Sequence, residues 1–155
     1  MCPSLKNGYR NMSIEQIIQK AFPAVNQDEI TDSYIIANQN LMDLEGKIDF
    51  LLYVPVYMLW CVRNKDNYDQ LVTDRTIYSI AEFGRSKEQN SFKCCCNLKQ
   101  KFAVVAFLQW CRKNLVVVHE EQIDRSIKRW KSAASVGWVR QAKLGMSCRV
   151  QVPVR

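Results

Sequence analysis

A chain of 155 residues that is 48% hydrophobic can fill the core of one ordinary domain, so it needs neither disulfide staples nor a metal to fold. Five glycines and four prolines are few for an all-β protein, which must turn often. The formal net charge of +7 is uneven, because residues 131–155 hold Lys131, Arg140, Lys143, Arg149 and Arg155 without one acid; the body carries little of the charge footprint of a nucleic-acid-binding domain.

The opening "MCPSLKNGYRNM" contains no apolar stretch of the kind that directs secretion, so a cytoplasmic location is expected, with the seven cysteines as reduced thiols. Residues 1–11 read as a leader outside the domain, with Met12 as an alternative start. In "MSIEQIIQKAF", Ser13 and Gln16 make a capping-box pair, Met12 and Ile17 stand at the staple positions, and Pro23 ends the helix. Ile14, Ile17, Ile18, Ala21 and Phe22 form its apolar stripe.

Ile30, Tyr34, Ala37, Leu41, Leu44, Ile48 and Leu51 then alternate spacings of four and three, which predicts one long helix interrupted near Gly46. Phe50 to Val62 is apolar all round and predicts a buried helix that Pro55 kinks or starts. At 13 residues the run is too short to span a bilayer, which takes about 20. "TDRTIYSIAEFG" predicts a helix capped by Thr73, packed through Ile77, Ile80 and Ala81, and ended by Gly84.

"RSKEQNSFKCCC" reads as a loop before a second capping pair, Asn97 and Gln100. The helix they open, through Phe102, Val105, Phe107, Leu108 and Cys111, is the expected central core element. "LVVVH", residues 115–119, suits strand as well as helix. "EEQIDRSIKRWKSA" is amphipathic, with an Ile123, Ile127 and Trp130 stripe and ion pairs Glu121–Arg125 and Asp124–Lys128. Beyond it, Cys148, Val150, Val152 and Val154 alternate with polar residues in a strand-like period, at which Pro153 permits only an edge or an extended segment. Residues 137–155 are therefore expected to stay apart from the core unless a partner orders them.

Three adjacent cysteines, Cys94, Cys95 and Cys96, are the most unusual feature. Thiols near a helix start can be activated, and Cys94, Cys96 and the lone histidine, His119, are the candidate metal ligands. Zinc sites, however, space their cysteines by two to four residues, and no second pair completes four ligands. The favoured reading is small apolar residues packing the end of a loop. His119 lacks the second histidine of a metalloprotease motif, Ile123 standing in its place, and a Cys111–His119 dyad on one helix would be about 12 Å apart in rise. The string Asp43, Glu45, Lys47 resembles a metal-nuclease motif but falls on a predicted helix end. Trp60 and Trp110 lie in apolar runs and read as core rather than base-stacking platforms.

The blocks "IIQKAFPAV", "YVPVYMLWCV" and "LKQKFAVVAFLQW" together resemble a family of small bacterial proteins of unknown function. The matching positions are Ala21-Phe22, Tyr53-x-Pro55, and Gln100 with Phe107-Leu108, over residues 13–115. The resemblance implies an all-helical fold and transfers no catalytic residue. The expectation is thus a single all-α bundle of five to six helices over residues 12–131, with a poorly ordered basic tail over 132–155. The sequence assembles no catalytic, cofactor-binding or metal set. The expected function is a non-catalytic protein-interaction module with an unknown protein partner. The alternatives are nucleic-acid association through the tail and a thiol-dependent enzyme using Cys94–Cys96.

Overall fold

The computed structural model describes residues 9–25, 30–67, 71–116 and 119–144, with side chains to residue 135. Among them the chain is all-helical and contains no strand: α1 (Ile14–Ala21), α2 (Asp32–Ala37), a 3-10 turn (Leu41–Leu44), α3 (Phe50–Arg63), α4 (Val72–Arg85), α5 (Phe92–Cys95), α6 (Leu98–Asn114) and α7 (Glu120–Leu144). The helices number seven, above the five or six expected, because two short ones fall where the sequence predicts a long helix and a loop.

Both capping boxes form. Ser13 accepts from the Gln16 N–H at 3.2 Å while the Gln16 side chain accepts from the Ser13 N–H at 2.9 Å, and Asn97 and Gln100 do the same at 2.9 Å each. Each pair satisfies two of the N–H groups that a helix start leaves without a partner.

The seam from Ile30 to Leu51 is not one helix. The Asn38 amide donates to the Tyr34 carbonyl at 2.9 Å, and Asn40 accepts from the Met42 N–H at 3.3 Å. Short amides that bond the backbone in this way compete with helix continuation. Gly46 then turns the chain at φ +75°, a conformation that favours glycine. The spacing nonetheless marks burial: Ile30, Ile35, Leu41 and Leu44 are core residues.

Helix α3 is the most enclosed element, every residue from Val54 to Cys61 being buried. Asp49 caps it through the Leu51 N–H at 2.9 Å, and Pro55 lies inside it, where it cannot donate to the Leu51 carbonyl. The Tyr57 hydroxyl donates to the Asn38 carbonyl at 2.6 Å, tying α3 to the end of α2. Helix α6, expected at the centre, buries Ala103, Val104, Val105, Phe107, Leu108 and Cys111, but Gln109 is exposed and Phe102 and Trp110 are half-buried. It packs on α1 and α7, and α7 packs also on α4.

Two expectations about α4 are corrected. It starts at Val72 without a side-chain cap, so Thr73 is not the capping residue. Gly84 does not end it; the helix runs on to Arg85, and Gly84 is buried beneath the Trp130 indole of α7. Trp130 donates from Nε1 to the Ile80 carbonyl at 3.1 Å. Lys93 donates to the Gly84 carbonyl at 2.8 Å, satisfying a carbonyl of the last turn.

On α7, Ile123 and Trp130 are buried and Ile127 is half-buried. The Glu121–Arg125 pair forms at 2.9 Å, whereas Asp124 meets Arg112 of α6 at 3.4 Å, beside an Arg112–Glu120 contact of 2.8 Å. The helix backbone crosses residue 131 without a break and continues to Leu144, past the predicted boundary. Residues 145–155, with their alternating valines, lie outside the described residues, as do the leader residues 1–8 and two positions of "LVVVH".

Gly84→Ala tests the α4–α7 contact. Propensity alone would make alanine better in a helix by about 1 kcal/mol. A Cβ at Gly84 would lie 2.8 Å from Trp130 Nε1 and 3.2 Å from Cδ1 of a fully buried ring. The expected net result is a loss of about 1–3 kcal/mol in urea unfolding; an unchanged or raised midpoint would mean that the ring is not seated as described.

Candidate functional site

Cys94 and Cys95 lie in the single helical turn α5 rather than in a loop, and Cys96 follows it as the capping residue, in an extended conformation. Ser91 caps the single turn α5, accepting from the Cys94 N–H at 3.4 Å, and successive side chains of a helix fan apart by about 100°. Phe92 enters the core, Cys94 is exposed, Cys95 is half-buried and Cys96 is buried. Burial pushes the Cys96 thiol far up, with a smaller opposing pull from Lys101, so this thiol is held neutral.

Among the described residues no group of three His, Cys, Asp or Glu side chains could hold a metal ion. Cys94, Cys96 and His119 are therefore not brought together as ligands. His119 is exposed at the start of α7, lining a shallow depression with Arg85, Gln122 and Arg125. Cys111 is buried on α6, so the Cys111–His119 dyad fails because the two residues lie on opposite sides of a helix break and one is shut off from solvent. Asp43, Glu45 and Lys47 are all exposed around the 3-10 turn, where Lys47 donates to the Asp43 carbonyl at 3.3 Å.

The concavity with chemical character lies elsewhere. A pocket of about 360 Å³ opens between the 3-10 turn, the start of α3, the end of α4 and the segment that leads into α5. Its apolar lining includes Met42, Ile48, Phe50, Leu51, Phe83 and Phe92. Phe50 and Phe83 pack with ring centroids 4.8 Å apart, and Phe83 and Phe92 at 5.6 Å. Carboxylates stand around it: Glu45 after the 3-10 turn, Asp49 at the α3 cap, Glu82 on α4 and Glu88 in the following loop. Among the described residues no lysine, arginine or histidine lines it. Glu82 is engaged by Arg85 at 2.7 Å, and Asp49 by the Leu51 N–H. Cys95 contributes its half-buried thiol at the α5 side.

Sequence reasoning missed this site. Its residues come from two stretches far apart in the sequence, 42–51 and 82–95, neither with a spaced site signature. Asp49 is legible only as a helix cap, and Phe92 is hidden beside the more conspicuous cysteines. Chemically the arrangement offers apolar contact and negative charge.

No protein-family model, curated protein or solved structure matches the chain. No helix among the described residues is long and apolar enough to cross a membrane.

Among the described cysteines, native alkylation with iodoacetamide, followed by peptide mass spectrometry, should label Cys94 first. Cys61, Cys96 and Cys111, all buried, should label only when the chain unfolds. Rapid labelling of Cys96 in the folded chain would contradict its placement.

Alkali should expose the same burial. Burial pushes the Cys61 thiol up to about 12, against a small opposing effect of the Thr73 and Thr76 hydroxyls, and pushes Cys111 well up too. The folded chain keeps these thiols neutral where the unfolded chain ionises them. Their stabilisation is complete below the ordinary thiol value of 9.0 and is lost as pH rises toward the folded values. Each thiol should remove about 1.4 kcal/mol of stability per pH unit above its unfolded value. In urea titrations over that range, Cys111→Val should show a shallower loss than the parent chain; equal slopes would mean that Cys111 titrates alike folded and unfolded.

Proposed function

We propose that this chain is a non-catalytic protein-interaction module, and that its pocket holds an extended, basic, apolar segment of a protein partner. The observation that carries the reading is the pocket itself: aromatic and aliphatic lining, four carboxylates and, among the described residues, no basic side chain. Apolar side chains of a partner would gain by leaving water there, while lysine or arginine side chains reach the rim. Rim charges of this kind set register and on-rate more than affinity. The volume lies in the range of ordinary ligand clefts. A cytoplasmic location and the resemblance to small helical bacterial proteins remain part of the proposal, but the pocket reading does not rest on either.

Nucleic-acid association through residues 132–155 is the second reading, supported by the acid-free charge of that segment. The thiol-enzyme reading draws no support from Cys96, whose thiol burial pushes up rather than down.

A fluorescently labelled peptide of alternating leucine and lysine should bind the full chain in polarisation assays, more weakly as salt rises. The double substitution Glu45→Gln with Glu88→Gln should weaken it about fivefold or more, because among the described residues neither carboxylate has an ion-pair partner to lose. Binding that ignores both salt and the substitutions would sink the reading, as would the absence of binding to any form of the chain.

A further inference from the structure

Each of the two stretches that line the pocket presents two carboxylates, one engaged and one not. On residues 42–51, Asp49 accepts from the Leu51 N–H at 2.9 Å, while Glu45 is exposed and, among the described residues, has no ion pair. On residues 82–95, Glu82 holds Arg85 at 2.7 Å, while Glu88 is exposed and likewise has none among the described residues. The lining also keeps apolar surface within reach of a ligand, because Met42, Ile48, Phe50 and Leu51 are only half-buried. The buried ring of Phe83, 4.8 Å from that of Phe50, backs this surface.

A metal ion does not suit this lining. Among the described residues no three His, Cys, Asp or Glu side chains could hold one. A single ammonium group does little better, since water screens its attraction to an exposed carboxylate. Two ammonium groups on one chain behave differently. Once the first is held, the second meets its own carboxylate at an effective concentration in about the millimolar range. The methylenes that join them leave water against the apolar lining, each strengthening binding up to about fourfold. The volume of about 360 Å³ lies at the low end for ligand clefts and suits a short flexible chain.

We propose that the pocket binds a linear alkyl polyamine, with ammonium groups at Glu45 and Glu88 and methylenes on the apolar lining, and that the bound polyamine excludes the basic segment of a protein partner. The proposal deepens the reading of the pocket as a cleft for basic, apolar chain and rests on it. Polyamine and partner segment use the same two contacts, carboxylate charge and apolar surface, so they cannot occupy the pocket together. Partner binding then weakens as the polyamine concentration rises, which makes the small cation a regulator of the site.

Equilibrium dialysis of radiolabelled spermidine against the full-length chain tests this directly. Spermidine should bind about tenfold or more tightly than propylamine. Glu45→Gln and Glu88→Gln, each alone, should remove most of that advantage, because each leaves one ammonium group without its carboxylate. Both positions are exposed, so neither change threatens the fold. In a series of linear diamines from propane to octane, used as competitors, affinity should rise with each methylene to a maximum and then level or fall. Magnesium chloride should displace no more spermidine than sodium chloride at the same ionic strength. Absence of spermidine binding overturns the proposal, as does binding that neither substitution weakens. So does a diamine series without length dependence, or displacement by magnesium beyond the sodium control, since either would mean a diffuse counterion effect. The leucine–lysine peptide separates the two claims. If it binds and spermidine does not displace it, the partner reading stands and the polyamine proposal falls. If spermidine binds as described and the peptide binds no form of the chain, the polyamine site stands and the protein partner falls.

Discussion

The indole of Trp130 rests on Gly84, a position in the last turn of α4 where no side chain intervenes. That contact is possible only because glycine leaves room: any Cβ there would fall within 3 Å of the ring nitrogen. The same nitrogen reaches the Ile80 carbonyl one turn earlier, so the ring is held by a hydrogen bond as well as by packing. A buried indole without such a partner would carry an unmet donor. Phe92 stands edge-on to Trp130, stacks near Phe22 of α1's end, and meets Phe83 of α4. One residue of a four-residue helix thus touches three other parts of the bundle. Remove the Gly84 notch, and α7 must lift from α4, which displaces Phe92 and with it the pocket wall.

The local signals were legible because their physics is local. Ser13 with Gln16, and Asn97 with Gln100, satisfy backbone groups three residues away, and nothing distant can overrule them cheaply. The unbroken apolar run of α3 was legible for a related reason: a segment with no polar face has nowhere to go but inside. Gly84 was misread because glycine terminates helices far more often than it makes room for a neighbour, and the neighbour lies 46 residues away, at Trp130. The seam from Ile30 to Leu51 was misread because periodicity reports which side chains are buried. It does not report whether the backbone between them is continuous, and the amides of Asn38 and Asn40 break it.

The cysteine run shows how composition can draw attention to the wrong residue. Three thiols in sequence become three environments once one helical turn is fixed: solvent at Cys94, a pocket edge at Cys95, the core at Cys96. What fixes the turn is Phe92, whose burial sets the phase of the residues after it. The capping bond from Ser91 and the ammonium of Lys93 on the α4 carbonyl hold the same phase from either side. The cysteines are therefore consequences of an anchoring aromatic, and their different exposures follow from its position.

The candidate site was illegible for a reason that applies to any cleft built at the meeting of several elements. Glu45, Asp49, Glu82 and Glu88 are unremarkable where they stand in the sequence, each beside lysines or arginines that would cancel a simple charge count. Arg85 stays with Glu82, while the side chains of Lys47 and Lys93 turn to backbone carbonyls. What remains facing the cavity is negative charge over apolar side chains, in a chain whose overall charge is +7. The excess positive charge is concentrated after residue 130, an asymmetry along the sequence that the net figure conceals.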